Sequence, residues 1–177
     1  MNKKIKLTLL AIVLVITALV LTGCGGGPTA PDLMEGFERF EGENFEIQYP
    51  EEWTVEIQTI PGAEAVMFTD IMTGSNVVVA VERLGGRIGL SGTKDLAVDT
   101  LVAQGANRSD IREESVRVNG MRAYRLETTI DMMGIEVEII SIVTGRRRVA
   151  ATITLSTLDI SENVEVFNEL IETFTPR

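Results

Sequence analysis

The chain has 177 residues, of which 45% are hydrophobic, so it can hold a leader segment and one domain with its own core. Its net charge is −10. Because the lysines Lys3, Lys4 and Lys6 all lie at the N-terminus, the rest of the chain is more acidic than this value. The remainder carries 13 basic and 26 acidic residues. Such a surface repels nucleic-acid phosphates and anionic lipid headgroups. The charge therefore argues against nucleic acid as a partner and is typical of a soluble domain.

The residue types exclude the commonest catalytic sites. The sequence contains no histidine and a single cysteine, Cys24. Nucleophile–base pairs that use histidine are therefore excluded, and so are zinc sites of the His/Cys type. Lys94 is the one lysine after Cys24, and we expect it to be a solvated charge at the start of a helix. The sequence predicts a protein that is not an enzyme and that has no cofactor.

The first 23 residues have the pattern of an export signal. A basic start is followed by Leu7–Leu21, an apolar run of 15 residues, whereas a membrane-spanning helix needs roughly 20. The run ends in Leu21, Thr22, Gly23 and Cys24, which resemble the lipobox of bacterial lipoproteins. The resemblance implies cleavage before Cys24 and acylation of its sulfur. It also implies a lipid anchor to the membrane on the extracytoplasmic face.

The next stretch, residues 24–43, is interpreted as a linker. Gly25–Gly27 give it flexibility, and Pro28 and Pro31 prevent a continuous helix. Toward its end, the spacing of apolar residues in Leu33–Phe40 predicts a short helix. The folded domain is expected over residues 44–177.

From Phe45 onward, apolar and polar residues alternate with the two-residue period of half-buried strands. Asn119-Gly120 is a strong signal for a tight hairpin between two of these strands. The predicted strands are Phe45–Tyr49, Trp53–Ile57, Ala65–Asp70, Asn76–Arg83, Ile111–Val118, Met121–Asp131, Ile135–Thr144 and Arg147–Leu155.

Two segments have helical patterns. The first follows a glycine-rich connection that matches no phosphate-binding motif. It is capped by Ser91 or Thr93 and ends near Gly105. Its predicted apolar stripe comprises Leu96, Thr100, Leu101 and Ala103 or Gln104. The second is capped by Asp159 or Ser161, and its stripe comprises Val164, Phe167, Leu170, Ile171 and Phe174. Strand runs with two packing helices predict an α+β fold on one mainly antiparallel sheet.

Three motifs in this order resemble the PsbP-like family. They are the opening strand Phe45–Trp53 (FEIQYPEEW), the hairpin Val118–Tyr124 and the closing helix Phe167–Phe174. The resemblance covers about Asn44 to Pro176 and implies an α/β/α sandwich around an antiparallel sheet. It implies no particular function, because one scaffold can carry different binding sites.

Several surface features are candidates for contact with a partner. Arg146, Arg147 and Arg148 form the one basic cluster, at a predicted hairpin turn, where they would meet an acidic partner or headgroup. Met132-Met133 lies at the opposite hairpin and is expected to pack over the edge of the core. The acidic pairs Glu51-Glu52, Glu113-Glu114 and Glu136/Glu138 are expected to be solvated.

The predicted function is that of a non-enzymatic, membrane-anchored extracytoplasmic lipoprotein that binds an envelope protein complex. The alternative is a module that binds a small ligand or a divalent metal such as Ca²⁺ or Mn²⁺, since these ions prefer oxygen ligands.

Overall fold

A computed structural model of the protein describes residues 30–84, 89–146 and 148–177. The predicted signal segment, the lipobox and Arg147 lie outside these residues. The helices are α1 (Leu90–Ala103) and α2 (Ile160–Glu172), with a 3₁₀ turn at Arg108–Asp110. The strands are β1 (Phe37–Glu41), β2 (Phe45–Pro50), β3 (Thr54–Ile60), β4 (Ala63–Thr69), β5 (Asn76–Arg83), β6 (Arg112–Val118), β7 (Met121–Met132), β8 (Ile135–Arg146), β9 (Val149–Thr157) and β10 (Thr175–Pro176).

The strands form two antiparallel sheets. The larger has seven strands in the order β3-β4-β5-β9-β8-β7-β6, and the smaller has three in the order β1-β2-β10. The predicted α+β class with mainly antiparallel pairing is confirmed. The small sheet adds to the single predicted sheet, because both chain ends of the domain pair with β2.

The main core lies between one face of the large sheet and a layer made of α2 and the small sheet. Alternate residues of β5, such as Val77 and Val79, point into this core and are fully buried. Phe167 and Leu170 of α2 meet them, as the predicted stripe requires, and Trp53 closes one end. Apolar residues recur every two positions along the strands and about every 3.6 positions along α2. Both patterns therefore place apolar side chains in the same buried core.

Among the described residues, α1 is the one element that packs on the opposite face of the large sheet. Val98 and Leu101 of α1 pack on Leu126, Ile130 and neighbouring residues of β7 and β8, forming a second, smaller core. The predicted stripe of α1 is thus mostly wrong: Leu101 is buried, but the other members, Leu96, Thr100, Ala103 and Gln104, are exposed.

The start of α1 also differs from the prediction. The helix begins at Leu90, and Gly89 is its N-cap with no side-chain cap bond, so neither Ser91 nor Thr93 caps it. The carbonyl of Gly89 instead accepts the N–H of Thr93. At the other end, Gly105 has φ +111 and ends the helix as predicted.

The segment before residue 44 is more ordered than the predicted linker. The helix predicted over Leu33–Phe40 is wrong, because Phe37–Glu41 forms strand β1 and pairs with β2. Phe37 and Phe40 are three residues apart, a spacing that favours a helix, but pairing with β2 makes the segment a strand.

Gln48 fixes the chain that leads into β1. Its side chain is 1% exposed, and its Oε1 accepts the N–H of Met34 at 2.9 Å. Its Nε2 donates to the carbonyls of Asp32 at 2.8 Å and Pro31 at 3.1 Å. A buried amide is costly to leave without hydrogen-bond partners, so these bonds hold Pro31–Met34 against β2.

The N-terminus of α2 is capped as one of the two predicted alternatives. Asp159 is the N-cap, and its Oδ1 accepts the N–H of Ser161 at 2.9 Å. Hydrogen bonds from Ser161 lower the pKa of Asp159. The carboxylate of Glu138 accepts the N–H of Ile160 at 2.6 Å, so β8 also supports the start of the helix.

The hairpin between β6 and β7 holds the end of the chain. Asn119 and Gly120 both have positive φ, of 44° and 72°, as a two-residue hairpin turn requires. The Asn119 N–H donates to Glu172 Oε2 at 2.8 Å, and its Nδ2 donates to the carbonyl of Phe174 at 3.0 Å. One residue therefore shapes the turn and ties it to the end of α2.

We expect Asn119→Ala to lower the free energy of unfolding by about 2–3 kcal/mol, because it adds left-handed strain and removes the side-chain hydrogen bond. Asn119→Gly tolerates the positive φ and should cost only about 1 kcal/mol for the lost bond. Urea unfolding of both variants measures the difference. Equal losses would contradict the role of strain at this turn.

Tyr49 links the two strands of the β1–β2 hairpin. Its ring stacks on Phe68 with centroids 4.7 Å apart, and its hydroxyl donates to Glu38 Oε2 at 2.7 Å. Burial, together with the bond to Glu38 and its negative charge, raises the pKa of Tyr49 from 10.0 to about 12. The neutral phenol thus stabilises the fold fully below pH 10.0, and this contribution is lost as the pH rises through about 12.

The chain has only two tyrosines, Tyr49 and Tyr124, so the ionisation of Tyr49 can be isolated. Ultraviolet absorbance titration of the wild type minus that of Tyr49→Phe should show a phenolate transition near pH 12. A difference transition centred at pH 10.0 would show that the bond to Glu38 does not hold the proton.

Candidate functional site

An open groove lies between α1 and the large sheet. Its volume is about 410 Å³, within the range of roughly 300–1,000 Å³ of many small-molecule sites. Leu96 and Thr100 of α1 form one wall, and Val78 and Ala80 of β5 form part of the floor. Residues of the stripe predicted to be buried therefore line an open surface.

The groove exists because α1 is too narrow to cover the sheet. An α-helix is about 10 Å across and strands lie about 4.8 Å apart, so one helix covers two or three strands. The helix lies mainly over β8, with fewer contacts to β7 and β9. The same face of β4 and β5 is left beside it without a covering element among the described residues.

Small hydroxyl residues run along the floor of the groove. Thr152, Thr154 and Ser156 alternate on β9, and Ser141 lies beside them on β8. The hydroxyls of Ser141 and Thr154 are 3.0 Å apart and bond to each other. Among the described lining residues, Glu82 is the one that carries a charge. The groove is therefore suited to an uncharged ligand with apolar and hydrogen-bonding parts.

Next to the groove, β3 is a free edge of the large sheet. In the part of the chain that the structure describes, it pairs with β4 on one side only, and six of its seven residues are exposed. Its exposed residues include Val55, Ile57 and Ile60, and Ile60 also lines the groove. β3 therefore presents an open hydrogen-bonding edge with apolar side chains on both faces.

The other edge of the sheet, β6, has a different character. Its seven residues include Arg112, Glu113, Glu114 and Arg117, whereas β3 has the single charge of Glu56. Charged residues on an edge strand discourage pairing with another chain. Of the two edges of the large sheet, β3 is thus the one without this protection.

Acidic residues predominate near β3, although Arg83 donates to Asn44, which also binds Glu64 on the neighbouring strand β4. Residues 40–82 contain nine acidic residues and no lysine or arginine. Some acids are engaged within the domain: Glu64 accepts the N–H of Glu43 at 2.8 Å, and Glu46 pairs with Arg177 at 2.8 Å. Glu51, Glu52 and Glu56 are exposed near or on β3. The surface around the free edge is acidic.

The structure places the predicted arginine cluster at the hairpin between β8 and β9. Arg146 is the last residue of β8, and Arg148 lies in the turn and is exposed. Arg147 lies outside the described residues, so the cluster stays a prediction. The predicted lipobox of Leu21, Thr22 and Gly23, and Cys24 itself, lie outside them too.

Lys94 differs from its predicted role. Its side chain is only 17% exposed, and its Nζ lies 2.6 Å from Glu113 Oε2 and 5.5 Å from the centre of the Tyr124 ring. The hydrogen bond to Glu113 raises the pKa of Lys94. The lysine attaches α1 to the edge of the sheet. The prediction of a solvated charge is wrong, because α1 lies close enough to the sheet for the side chain of Lys94 to reach Glu113 on β6.

The acidic pairs do not form a metal site in the part of the chain that the structure describes. No three residues among His, Cys, Asp and Glu come together there in an arrangement suited to a metal ion. Glu113 pairs with Lys94, and Glu138 supports the start of α2. Two of the acids predicted to be solvated are thus engaged in packing between elements.

The hairpin between β7 and β8 is exposed, contrary to the predicted packing. Met133 is 99% exposed with φ 59°, and Met132 and Ile135 are also exposed. Strand register places the turn between β4 and β5, with Met72, at the same end of the sheet. The hairpin extends beyond α2 and α1, so no described element covers its tip.

Sequence reasoning missed both the groove and the β3 edge. The alternation in Trp53–Ile57 correctly predicted a strand, observed as Thr54–Ile60, but also implied that one face would be buried. Only the absence of basic residues over 40–82 marked the surroundings of β3 as unusual. The groove had no local signal, because its residues come from α1 and several strands.

Within the described ranges, no helix is long and apolar enough to cross a membrane. A search of the curated proteins finds no match to the chain. Solved structures do match it. The solution structure of cyanobacterial PsbP (CyanoP) from Synechocystis sp. PCC 6803 has a TM-score of 0.63 and 20% identity, and the match covers 88% of this chain and 98% of that one.

Two further structures have the same fold at lower identity. One is LpqN, involved in cell envelope biogenesis of Mycobacterium tuberculosis, with a TM-score of 0.56, 12% identity and coverage of 79% of this chain and 90% of that one. The other is a Pseudomonas aeruginosa protein of unknown function, with a TM-score of 0.52, 14% identity and coverage of 80% and 97%.

The family match begins earlier in the chain than the predicted resemblance, which starts at about Asn44. The PsbP family matches residues 35–175, so the match includes β1, which the sequence reading had placed in the linker. The matched range runs from before β1 to the first residue of β10. The chain belongs to the PsbP family.

Proposed function

We propose that the protein is a lipid-anchored, extracytoplasmic accessory protein that holds a binding surface near a membrane and binds a protein of the cell envelope without catalysing a reaction. The observation that carries the proposal is a PsbP-family domain with an exposed edge and groove, preceded by a lipobox-like sequence. The name of LpqN, which links that protein to cell envelope biogenesis, supports the same setting.

The anchor would hold the domain close to the membrane. Gln48 fixes the chain from about Pro31 onward, so six residues, 25–30, lie between Cys24 and the first anchored position. The seven residue-to-residue steps from Cys24 to Pro31 can span at most ~25 Å. This tether is much shorter than a linker that runs to Asn44. A partner would therefore lie in or near the same membrane.

The acidic surface suits this position. A domain that carries an excess of acidic residues is repelled by anionic headgroups. It remains free in solution at the end of its tether. Its binding surfaces are then available to proteins rather than to the bilayer.

The groove supports a second candidate function, the binding of a small uncharged ligand. Its volume of about 410 Å³ and its row of hydroxyls suit such a molecule. The described residues give no comparable support to a divalent metal.

Mass spectrometry of the protein from bacterial membranes tests the anchor. We expect a mature chain that begins at Cys24 and carries the added mass of acyl chains, and we expect Cys24→Ser to leave an unacylated precursor. Fractionation of Met34→Ala provides a control that should remain in the membrane. Recovery of wild-type protein with an intact N-terminal methionine or a free thiol would contradict the anchor.

Native mass spectrometry tests the second candidate function. If a small molecule occupies the groove, the wild type should carry a bound mass that is lost in Ala80→Phe, because the ring fills the floor of the groove. Ala30→Phe, outside the groove, should keep it. Identical spectra of wild type and Ala80→Phe would count against a small ligand in the groove.

A further inference from the structure

We propose that the free edge of β3 binds an extended, basic segment of a partner protein, which adds to the large sheet as an eighth strand. This inference deepens the proposed function, since it names the docking edge and the chemistry of the partner. It rests on that function only in taking the domain to be a protein-binding one.

The backbone of β3 is open to a further strand. β3 has seven residues and, within residues 30–84, 89–146 and 148–177, pairs on one side only, so it offers a row of N–H and C=O groups to another strand. Addition of a strand to a free edge is a common way of binding an extended peptide. β6 is the other free edge, but the charges of both signs along it and the contact of Glu113 with Lys94 make it a poorer template.

β3 also has exposed aliphatic side chains that a partner strand could bury. Ile57 is 75% exposed, and Val55 and Ile60 are also exposed. The register with β4 places Val55 and Ile57 on the face of Val66 and Phe68, while Ile60 lies on the groove face opposite Ala63. A strand added to β3 would bury Val55 and Ile57 against alternate residues of its own on one face, and its remaining residues would face Glu56 and Ile60 on the groove face.

The acidic residues near β3 favour a basic partner segment over a second copy of the chain. Residues 40–82 carry nine acids and no base, and Glu56 is exposed in the middle of β3. A second copy of the chain would bring two such surfaces together, and like charges across a strand pair are destabilising. A segment with lysine or arginine residues would instead place positive charge opposite Glu56 and near Glu51 and Glu52.

A defined peptide tests the proposal without knowledge of the natural partner. The probe is a nine-residue, end-blocked peptide in which lysine alternates with valine, and its binding to the full chain in detergent is measured by fluorescence anisotropy. Two control peptides have glutamate in place of lysine, or N-methyl groups at alternate residues that remove the hydrogen bonds of a ladder. We expect the basic peptide to bind and both controls to bind at least ~10-fold more weakly, a difference of about 1.4 kcal/mol.

Matched substitutions locate the site. Ile57 and Ile71 are 75% and 70% exposed, but Ile71 lies in the turn between β4 and β5 and not on the edge. We expect Ile57→Lys to weaken binding of the basic peptide roughly tenfold and Ile71→Lys to leave it unchanged, since only the former places a positive charge in the docking strand. Unchanged thermal melting of both variants verifies that they are folded.

Three outcomes would overturn the proposal. Equal binding of the N-methylated peptide would mean that charge alone attracts the probe. Equal weakening by Ile57→Lys and Ile71→Lys would place the site elsewhere. Dimerisation by sedimentation that Ile57→Lys abolishes, without peptide binding, would make a second copy the occupant. None of these outcomes depends on a lipid at Cys24. The proposed anchor is tested separately, by mass spectrometry of the protein from membranes.

Discussion

The surface of this domain depends on one constraint: within the described residues, a single short helix covers one face of a seven-stranded sheet. The opposite face is sealed by α2 and by the small sheet that both ends of the domain build on β2. The helix α1 has 14 residues and is about 21 Å long. It seals the part of its face over β7 and β8, and the rest of that face remains as the groove and the β3 side of the sheet.

This asymmetry separates the parts that maintain the fold from the parts available for binding. Four aromatic rings, those of Phe40, Phe45, Tyr49 and Phe68, join the small sheet to the large one. The uncovered part instead has small hydroxyl residues, alanines and exposed aliphatic residues. A partner that used it would change little in the core. This arrangement suits a family in which one scaffold carries different binding sites.

Much of the fold could be predicted from the sequence, because the strands and α2 have clear periods of two and 3.6 residues. Pro50, Asn119-Gly120 and Asp159 marked boundaries that the structure confirms. Strand β1 and the partial burial of Lys94 could not be predicted, since both depend on partners distant in sequence: β2 for the strand, and Glu113 for the lysine. The stripe of α1 failed for a related reason, as the pattern identifies an apolar face but not whether anything covers it.

The candidate site is even less visible in the sequence. The groove is formed by elements separated by more than 50 residues, and the exposure of β3 follows from its position as the last strand of the sheet. Strand order is set by long-range pairing, which local patterns do not specify. The charge pattern of residues 40–82 is the one part of the site that can be read directly.

The central claim is that the domain acts through the open edge of β3 while it is held at the membrane. Amide hydrogen exchange of the full chain in native membranes, compared with the purified protein in detergent, tests this claim most directly. The account predicts slower exchange of Thr54–Ile60 in the membranes, where a partner is present, and unchanged exchange of Arg112–Val118 at the other edge. Equal exchange of Thr54–Ile60 in the two samples would contradict it.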